Sequence, residues 1–273
     1  MNDLPAQPKK SLGQHWLSDE KALAYITKFS GVGDNDVVLE IGPGQAALTK
    51  HLVEAASKVV AVELDDELAP KLASKLPAAN LQIVHQDILK FDLKSMPKNY
   101  KVVANIPYYL TGHLLRALTN SANPPTSMTL LLQKEVAQRI AAGPGGMSIL
   151  SVSIQLKYEP QLGEVIPAKL FIPPPKIDSQ VIRLTKHNPA PFPKLDEKKF
   201  FRIVRAGFSA PRKKLRSNLA GGLGISKNEA DDILAAAEVN GGLRAEALSL
   251  AQWHELYMQL SVRADFRSLL PRP

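Results

Sequence analysis

Short apolar runs alternate with amphipathic stretches over the first half of this chain. The runs are rich in valine, leucine and isoleucine, which is typical of buried strands, and apolar residues recur at helical spacing between them. The predicted strands are Val37–Ile41, Val59–Val62, Leu81–Val84, Val102–Ala104 and Met128–Leu132, and the predicted helices are 46–55, 66–76, 111–119 and 134–141. This βαβ alternation predicts an α/β fold with a parallel, doubly wound sheet.

The flanking segments predict one earlier helix and a sheet edge. Apolar spacing indicates a helix at Asp19–Phe29, with Ser18 as its N-cap. Leu150–Tyr158 and Gln180–Leu184 predict an antiparallel hairpin at the edge of the sheet, joined by the proline-rich segment Ile172–Lys176.

A proline-rich stretch divides the chain. Three prolines between 189 and 193 forbid regular structure, and helical patterns dominate beyond them. We therefore expect an α/β domain at 1–187, a linker at 188–195 and a small all-helical domain at 196–273.

Composition narrows the class of protein. The 34 lysines and arginines exceed the 26 acidic residues, which gives a net charge of +8 and a pI near 9.5, and this favours a polyanionic partner such as nucleic acid. Cysteine is absent, and the six histidines show no metal-binding spacing, so neither disulfides nor a metal site is expected. No apolar run approaches membrane-spanning length and the N-terminus lacks a signal-peptide core, so we expect a cytoplasmic protein without a membrane partner.

Three features suggest a site for an adenosine-containing cofactor. Gly42 and Gly44 follow the first strand and open a helix, so the backbone there can approach a ligand. Glu63 ends the second strand about 20 residues later, where a carboxylate accepts hydrogen bonds from ribose hydroxyls. Asp87 ends the third strand, where it could accept from an adenine amino group. The glycine pattern suits NAD and S-adenosylmethionine equally, and a glycine turn or a capping aspartate would explain it without a ligand.

The stretch from Asn105 to Tyr108 suggests a methyltransferase acting on adenine. The adenine N6 lone pair is delocalised into the ring and is a poor nucleophile. If the Asn105 side-chain oxygen and the Ile106 backbone carbonyl accept the two N6 hydrogens, the nitrogen becomes more tetrahedral and its lone pair can reach a methyl group. Pro107 would fix the loop, and Tyr108 would stack on the base.

Phe171 is the candidate for a second stacking surface. A base inside RNA must leave its stack to be modified, and aromatic rings on both faces offset that cost. The rigid proline segment after Phe171 could hold an exposed ring in place. Alternatively, Tyr108 and Phe171 are core aromatics, or the prolines are a ligand for another protein.

A basic cluster before and after residues 206–211 is the candidate RNA-binding surface. A solvated helix face is the alternative interpretation, since charge runs often have no other role. Lys9 and Lys10 either extend this surface or only solubilise the N-terminus. The cluster consists of Arg202, Arg205, Arg212, Lys213, Lys214 and Arg216.

Seven motifs in this order resemble the ribosomal RNA adenine dimethyltransferases, specifically the KsgA-like small-subunit enzymes. They are Ser11–Leu17, Glu40–Gly44, Val62–Asp65, Gln86–Asp87, Asn105–Tyr109, Leu132–Val136 and Phe171–Ser179.

The resemblance implies a Rossmann-like methyltransferase domain with a helical C-terminal domain. It implies an enzyme that uses S-adenosylmethionine to dimethylate N6 of two adjacent adenosines near the 3′ end of small-subunit rRNA, within the immature small subunit. It also implies that His15 and Leu17 contact the cofactor together with Gly42, Glu63, Asp87 and Asn105. One departure is that the family usually has Gln-Asn-Phe-Leu where this chain has Gln14-His-Trp-Leu17.

Three other functions stay open. A resistance-type methyltransferase would carry the same core motifs but modify large-subunit rRNA. A nonenzymatic assembly factor would bind immature subunits and make little use of the pocket. An NAD-dependent dehydrogenase would share the glycine loop, although no hydride-transfer residue is evident. We expect a monomer.

Overall fold

The computed structural model describes residues 7–9 and 12–262, so Lys10 and Ser11 lie outside the described residues. The strands are β1 Trp16–Leu17, β2 Val37–Ile41, β3 Lys58–Glu63, β4 Leu81–His85, β5 Lys101–Asn105, β6 Ser127–Gln133, β7 Tyr158–Ile166, β8 Phe171–Ile172 and β9 Ser179–Lys186. The α-helices are α1 Glu20–Ser30, α2 Ala47–Ala55, α3 Ala69–Lys75, α4 Thr111–Thr119, α5 Lys134–Ala141, α6 Ile149–Gln155, α7 Glu197–Gly207, α8 Leu215–Leu223, α9 Lys227–Ala236 and α10 Leu250–Ser261. In this part of the chain, no helix has the length and hydropathy needed to cross a membrane.

The central sheet of the described chain has seven strands in the order β4-β3-β2-β5-β6-β9-β7. The pairs β2–β3, β2–β5, β3–β4 and β5–β6 are parallel, whereas β9 is antiparallel to β6. This confirms the predicted mostly parallel sheet with an antiparallel edge. Strand order reverses between β2 and β5, and α/β sheets bind ligands at the carboxyl ends of strands next to such a switch point.

The central strands are buried, which explains their nearly continuous apolar sequences. Val38 in β2, Val59 in β3, Val102 in β5 and Leu130 in β6 have no exposed surface. The residues that end these strands therefore emerge from a rigid core.

Helix α1 uses a different N-cap from the predicted one. Asp19, not Ser18, caps the helix, because its Oδ1 accepts a hydrogen bond from the Ala22 N–H at 2.9 Å. Serine and aspartate are both good N-caps, so the pattern alone could not choose between neighbours.

The predicted strand at Leu150–Tyr158 is wrong. Residues Ile149–Gln155 form helix α6, which begins with a capping box between Ser148 and Ser151. These two serines satisfy backbone N–H groups that a helix start leaves free, whereas a short apolar run fits either element. The edge strand is instead β7, beside β9.

A separate two-stranded sheet pairs β1 with β8. The strands are antiparallel, with Trp16 opposite Ile172 and Leu17 opposite Phe171. Two-residue strands carry no periodic signal, so the sequence did not predict them. This pairing anchors a segment that we call the N-terminal strap, defined as residues 7–9 and 12–17.

The chain divides into two compact units. One contains the described residues up to Gln138 together with Glu159–Lys186, and the other contains Arg139–Tyr158 together with the described residues from His187 onwards. The second unit has its own core around the fully buried Trp253 and Phe200, and Met147 and Val152 belong to it. Residues 139–158, which the sequence placed in the first domain, thus group with the C-terminal helices.

Candidate cofactor and catalytic cleft

A cleft of about 1010 Å³, open mouth included, lies at the carboxyl ends of the parallel strands in the first unit. The strap forms one wall, and the loops after β2, β3, β4 and β5 form the rest. Its lining is Leu12, Gly13, Gln14, His15, Trp16, Ile41, Gly42, Gly44, Val62, Glu63, Leu64, Gln86, Asp87, Ile88, Leu89, Asn105, Ile106, Pro107, Tyr108, Tyr109 and Leu110.

The glycine loop leaves space for a ligand against its backbone. Gly42 has φ +66°, and a Cβ there would have no atom within 4 Å, so the missing side chain opens room in the cleft. Gly44 has φ +57° and packs against Trp16, because a Cβ there would lie 3.3 Å from the indole ring. Both glycines therefore have a physical role: one provides space and the other permits close packing.

Glu63 is held rigidly at the end of β3. Its carboxylate is buried, and Oε2 accepts from the Gly44 N–H at 2.9 Å. Oε1 accepts from the N–H groups of Leu64 and Asp65, each at 2.9 Å. A carboxylate offers about four acceptor positions, so capacity remains for a ribose hydroxyl.

Asp87 lines the cleft and also caps a turn. Its Oδ1 accepts from the Leu89 N–H at 2.9 Å and begins a short 3₁₀ helix at Ile88–Lys90. The capping role and a role towards an adenine ring are therefore compatible. Leu64 and Leu89, which the sequence did not single out, are exposed to 46% and 44% and supply apolar surface in the same cleft.

Asn105 ends β5, and its side-chain amide is oriented by the strap. Nδ2 donates to the His15 backbone carbonyl at 3.1 Å. This contact assigns the nitrogen to the strap, which leaves Oδ1 as the acceptor. Ile106 is buried and lines the cleft, and Pro107 begins the turn Tyr108–Leu110.

Tyr108 is fixed on its face and at its hydroxyl. Its ring stacks on His15 with centroids 5.9 Å apart, and Oη lies 2.7 Å from Ser179 Oγ. Burial raises the pKa of the Tyr108 hydroxyl above its usual range, so the group stays neutral near pH 7. A neutral ring with a flat exposed part is suited to stacking.

The expected exposed ring at Phe171 is wrong. Phe171 is 2% exposed, does not line the cleft and belongs to a hydrophobic cluster with Leu17 and Val181. The β1–β8 pairing places it beneath the strap, because Leu17 lies directly opposite. In the structure, Phe171 is therefore a core residue, which was the alternative interpretation of the sequence. Tyr109 is the aromatic that the sequence missed, since it lines the cleft and is 58% exposed.

The family resemblance suggested two strap residues, His15 and Leu17, as cofactor contacts, and only His15 lines the cleft. His15 lines the cleft, and its Nδ1 lies 2.7 Å from the Pro173 carbonyl, which can only accept, so Nδ1 carries the hydrogen. Leu17 is 4% exposed and packs in the core rather than lining the cleft. Gln14 and Trp16, the neighbours of His15, do line it.

Glu40 is an ionisable group hidden behind the cleft. It is 1% exposed at the end of β2, and its Oε2 has no hydrogen-bond partner among the residues that the structure describes. Burial raises the pKa of Glu40 to about 8, and the nearby charge of Glu63 adds to this effect. The carboxyl is therefore mostly protonated at neutral pH.

The basic cluster lies in the second unit and extends from α7 through the loop 208–214 into the first turn of α8. Arg205, Arg212, Lys213 and Lys214 are exposed, whereas Arg202 is half-buried. Arg216 is also half-buried and pairs with Asp231 at 3.1 Å, so it is less available to a phosphate than predicted.

A buried amide fixes the loop 208–214. Asn218 is 3% exposed, and its Nδ2 donates to the carbonyls of Gly207 at 2.7 Å and Ala210 at 2.9 Å. Asn218 therefore ties the end of α7 and the first part of the loop that carries Arg212, Lys213 and Lys214 to helix α8.

Known proteins are similar over nearly the whole chain. The family model described as "Ribosomal RNA adenine dimethylase" matches residues 6–261. A protein of Dehalococcoides mccartyi (strain CBDB1), "Ribosomal RNA small subunit methyltransferase A", is 37% identical over 263 residues, which cover 95% of this chain and 90% of that protein.

Two solved structures share the architecture. The 23S rRNA methyltransferase ErmE matches with a TM-score of 0.75 and 25% identity, covering 90% of this chain and 99% of its own. A dimethyladenosine transferase from Plasmodium falciparum matches with a TM-score of 0.79 and 23% identity, covering 90% and 98%. The second similarity concerns the fold alone.

Proposed function

Because the chain belongs to the ribosomal RNA adenine dimethylase family, we propose that it dimethylates N6 of two adjacent adenosines near the 3′ end of small-subunit rRNA. Family membership implies that S-adenosylmethionine is the methyl donor, and we place it in the cleft of the first unit. The substrate is the rRNA within an immature small subunit, and the protein acts on it as a monomer.

The residues of the cleft fit this cofactor. The open space at Gly42 admits a ligand against the backbone, Glu63 retains capacity to accept from one ribose hydroxyl, and Asp87 offers a carboxylate at the adenine end. Leu64 and Leu89 supply apolar surface for the adenine ring. When bound, S-adenosylmethionine supplies an electrophilic methyl carbon on a sulfonium. An NAD-dependent dehydrogenase is disfavoured, because the family is one of RNA methylases.

The orientation of Asn105 is the observation that carries the mechanism. Its amide nitrogen is committed to the His15 carbonyl, so Oδ1 is available to accept one N6 hydrogen of the target adenine. The Ile106 backbone carbonyl accepts the other. In the first transfer, two accepted hydrogen bonds localise the lone pair on N6 and stabilise the positive charge that develops there as the methyl group arrives. One N6 hydrogen then remains, so a single accepted hydrogen bond does this in the second transfer. The N6 proton leaves to water after the transfer.

Tyr108 supports the flipped base. Its ring stacks on His15 and its hydroxyl is bonded to Ser179, so a base that stacks on it costs little conformational entropy. In the second unit, the loop 208–214 presents exposed cations to rRNA phosphates, and Asn218 holds the loop in shape.

The decisive experiment offers labelled S-adenosylmethionine to small subunits that lack adenine dimethylation, with large subunits in parallel, followed by nucleoside analysis. We expect N6,N6-dimethyladenosine on the small subunit alone, and no label with Asn105→Ala. Label on the large subunit would indicate a resistance-type enzyme instead. Tight subunit binding without label would indicate a nonenzymatic assembly factor. Light scattering of the free protein tests whether it is a monomer in solution.

A further inference from the structure

One lysine of the strap contacts a group of three acidic residues at the edge of the cleft. Lys9 Nζ lies 3.0 Å from Asp65 Oδ1, 2.9 Å from Asp66 Oδ1 and 2.9 Å from Glu67 Oε1. These carboxylates follow Glu63, the candidate ribose ligand, after one intervening residue, Leu64. Lys9 is therefore engaged within the protein and is not part of a free RNA-binding surface.

Asp65 is the partner that gives this contact its importance. The side chains of Asp66 and Glu67 are 79% and 61% exposed, and ion pairs at such positions contribute little. The Asp65 side chain is 2% exposed, so its charge needs partners. Burial alone would raise the pKa of Asp65, but hydrogen bonds from Lys9, Gln14 and two backbone N–H groups hold it below its usual value.

Gln14 closes these contacts into a hydrogen-bonded ring of three residues, Lys9, Gln14 and Asp65. Its Nε2 donates to Asp65 Oδ2 at 2.8 Å, and its Oε1 accepts from the Lys9 backbone N–H at 2.7 Å. The strap is thus fastened at two residues to one buried carboxylate. His15, the single residue between Gln14 and strand β1, is held on one side by these hydrogen bonds and on the other by the pairing of β1 with Phe171 and Ile172.

The fastened residues are those that shape the cleft. The His15 carbonyl orients Asn105, and the Trp16 ring packs on Gly44. Asp65 also connects the hydrogen-bonded ring of Lys9, Gln14 and Asp65 to the ribose carboxylate, because its backbone N–H donates to Glu63 Oε1 at 2.9 Å. The Lys9 contact is therefore connected both to the acceptor for the target base and to the ribose carboxylate.

We propose that Lys9, Gln14 and Asp65 form a latch that positions the strap over the cofactor cleft, so that Lys9 is a positioning residue for methyl transfer. This proposal rests on the proposed function. Each target adenosine receives two methyl groups, so the cofactor must be exchanged between transfers. The latch sets how long the cofactor is retained.

The test compares Lys9→Met, Lys9→Arg and Lys21→Met. Methionine keeps the apolar stem but removes the charge, arginine restores a cation, and Lys21 is an exposed lysine of α1 in the same unit that serves as the matched control. Binding of S-adenosylmethionine is measured by calorimetry and its dissociation by stopped flow. Subunit binding and thermal melting are measured in parallel.

We expect Lys9→Met to weaken cofactor binding about tenfold, because a charge-assisted hydrogen bond to a buried carboxylate is lost. Most of the loss should be faster dissociation. The KM for the cofactor should rise while the KM for the subunit stays unchanged, Lys9→Arg should restore most of the affinity, and Lys21→Met should match the wild type. The salt dependence of cofactor binding should weaken in Lys9→Met.

Unchanged cofactor affinity in Lys9→Met would overturn the latch. So would an equal loss in Lys21→Met, or a loss that merely follows a lower melting temperature. A wild-type protein that fails to bind S-adenosylmethionine would overturn the proposed function, and the latch with it. If the wild type methylates small subunits normally and Lys9→Met binds S-adenosylmethionine with unchanged affinity, the latch alone is refuted and the proposed function stands.

Discussion

Replacing Phe171 distinguishes a core aromatic from a base-stacking one. The ring is 2% exposed and packs with Leu17 and Val181 beneath the strap. Phe171→Ala should destabilise the first unit by about 3–5 kcal/mol, as expected for removal of a fully buried phenylalanine. Phe171→Leu keeps most of the apolar volume and should cost less than about 1.5 kcal/mol.

These energies correspond to measurable shifts in melting temperature. For a unit of this size, 1 kcal/mol lowers the midpoint by roughly 2–4 °C, so Phe171→Ala should lose about 6–20 °C and Phe171→Leu less than about 6 °C. The assay is thermal melting of both variants, together with methyl transfer to small subunits at a temperature where both are folded.

Methyl transfer decides between the two roles. If Phe171 is a core residue, the leucine variant retains most of its activity when folded, and losses in the alanine variant follow its lower stability. A leucine variant that melts like the wild type but transfers methyl groups more than a hundredfold more slowly would refute the core assignment. It would indicate that the ring leaves the core to stack on the target base.

Three further predictions concern other parts of the molecule. Asn105→Asp keeps an acceptor but cannot donate to the His15 carbonyl, so single-turnover methyl transfer should fall at least about tenfold with subunit affinity unchanged; an unimpaired rate would contradict the proposed orientation. Because burial raises the pKa of folded Glu40 to about 8, against an ordinary value of 4.5, the folded chain binds an extra proton between these values. Stability should therefore fall as pH rises from about 5 to 8, and melting at pH 5.5 and 8.5 should show a smaller difference in Glu40→Gln. Asn218→Ala removes two hydrogen bonds, one to the last residue of α7 and one to the loop 208–214, so it should weaken rRNA binding and cost about 1–3 kcal/mol in stability, as urea titration and filter binding would reveal.

The sequence predicted the parts of the fold that depend on local patterns. The parallel strands β2, β3, β5 and β6 have nearly continuous apolar sequences because both of their faces are buried. The ends of β3, β4 and β5 placed Glu63, Asp87 and Asn105 at one edge of the sheet. Family resemblance, confirmed by the match to the adenine dimethylase family, supplied the reaction.

The errors arise where distant segments determine the structure. Phe171 precedes a proline run that suggests exposure, but its burial depends on pairing with Leu17, more than 150 residues earlier in the chain. The helix at Ile149–Gln155 depends on a capping box that the apolar pattern does not reveal. The Lys9–Asp65 contact joins two charges whose sequence neighbours are also charged, so no local signal distinguishes it from a solvated tail.

The contact between Asn105 and the strap also bears on which substitutions position 15 tolerates. The group that orients Asn105 is a main-chain carbonyl, which every amino acid provides. The side chain of His15 donates to the Pro173 carbonyl, which an asparagine amide could also do, and its ring stacks on Tyr108, which an asparagine could not do. A different residue at position 15 therefore keeps the carbonyl that orients Asn105, and with it the acceptor for the target amine, but changes the support of the Tyr108 ring.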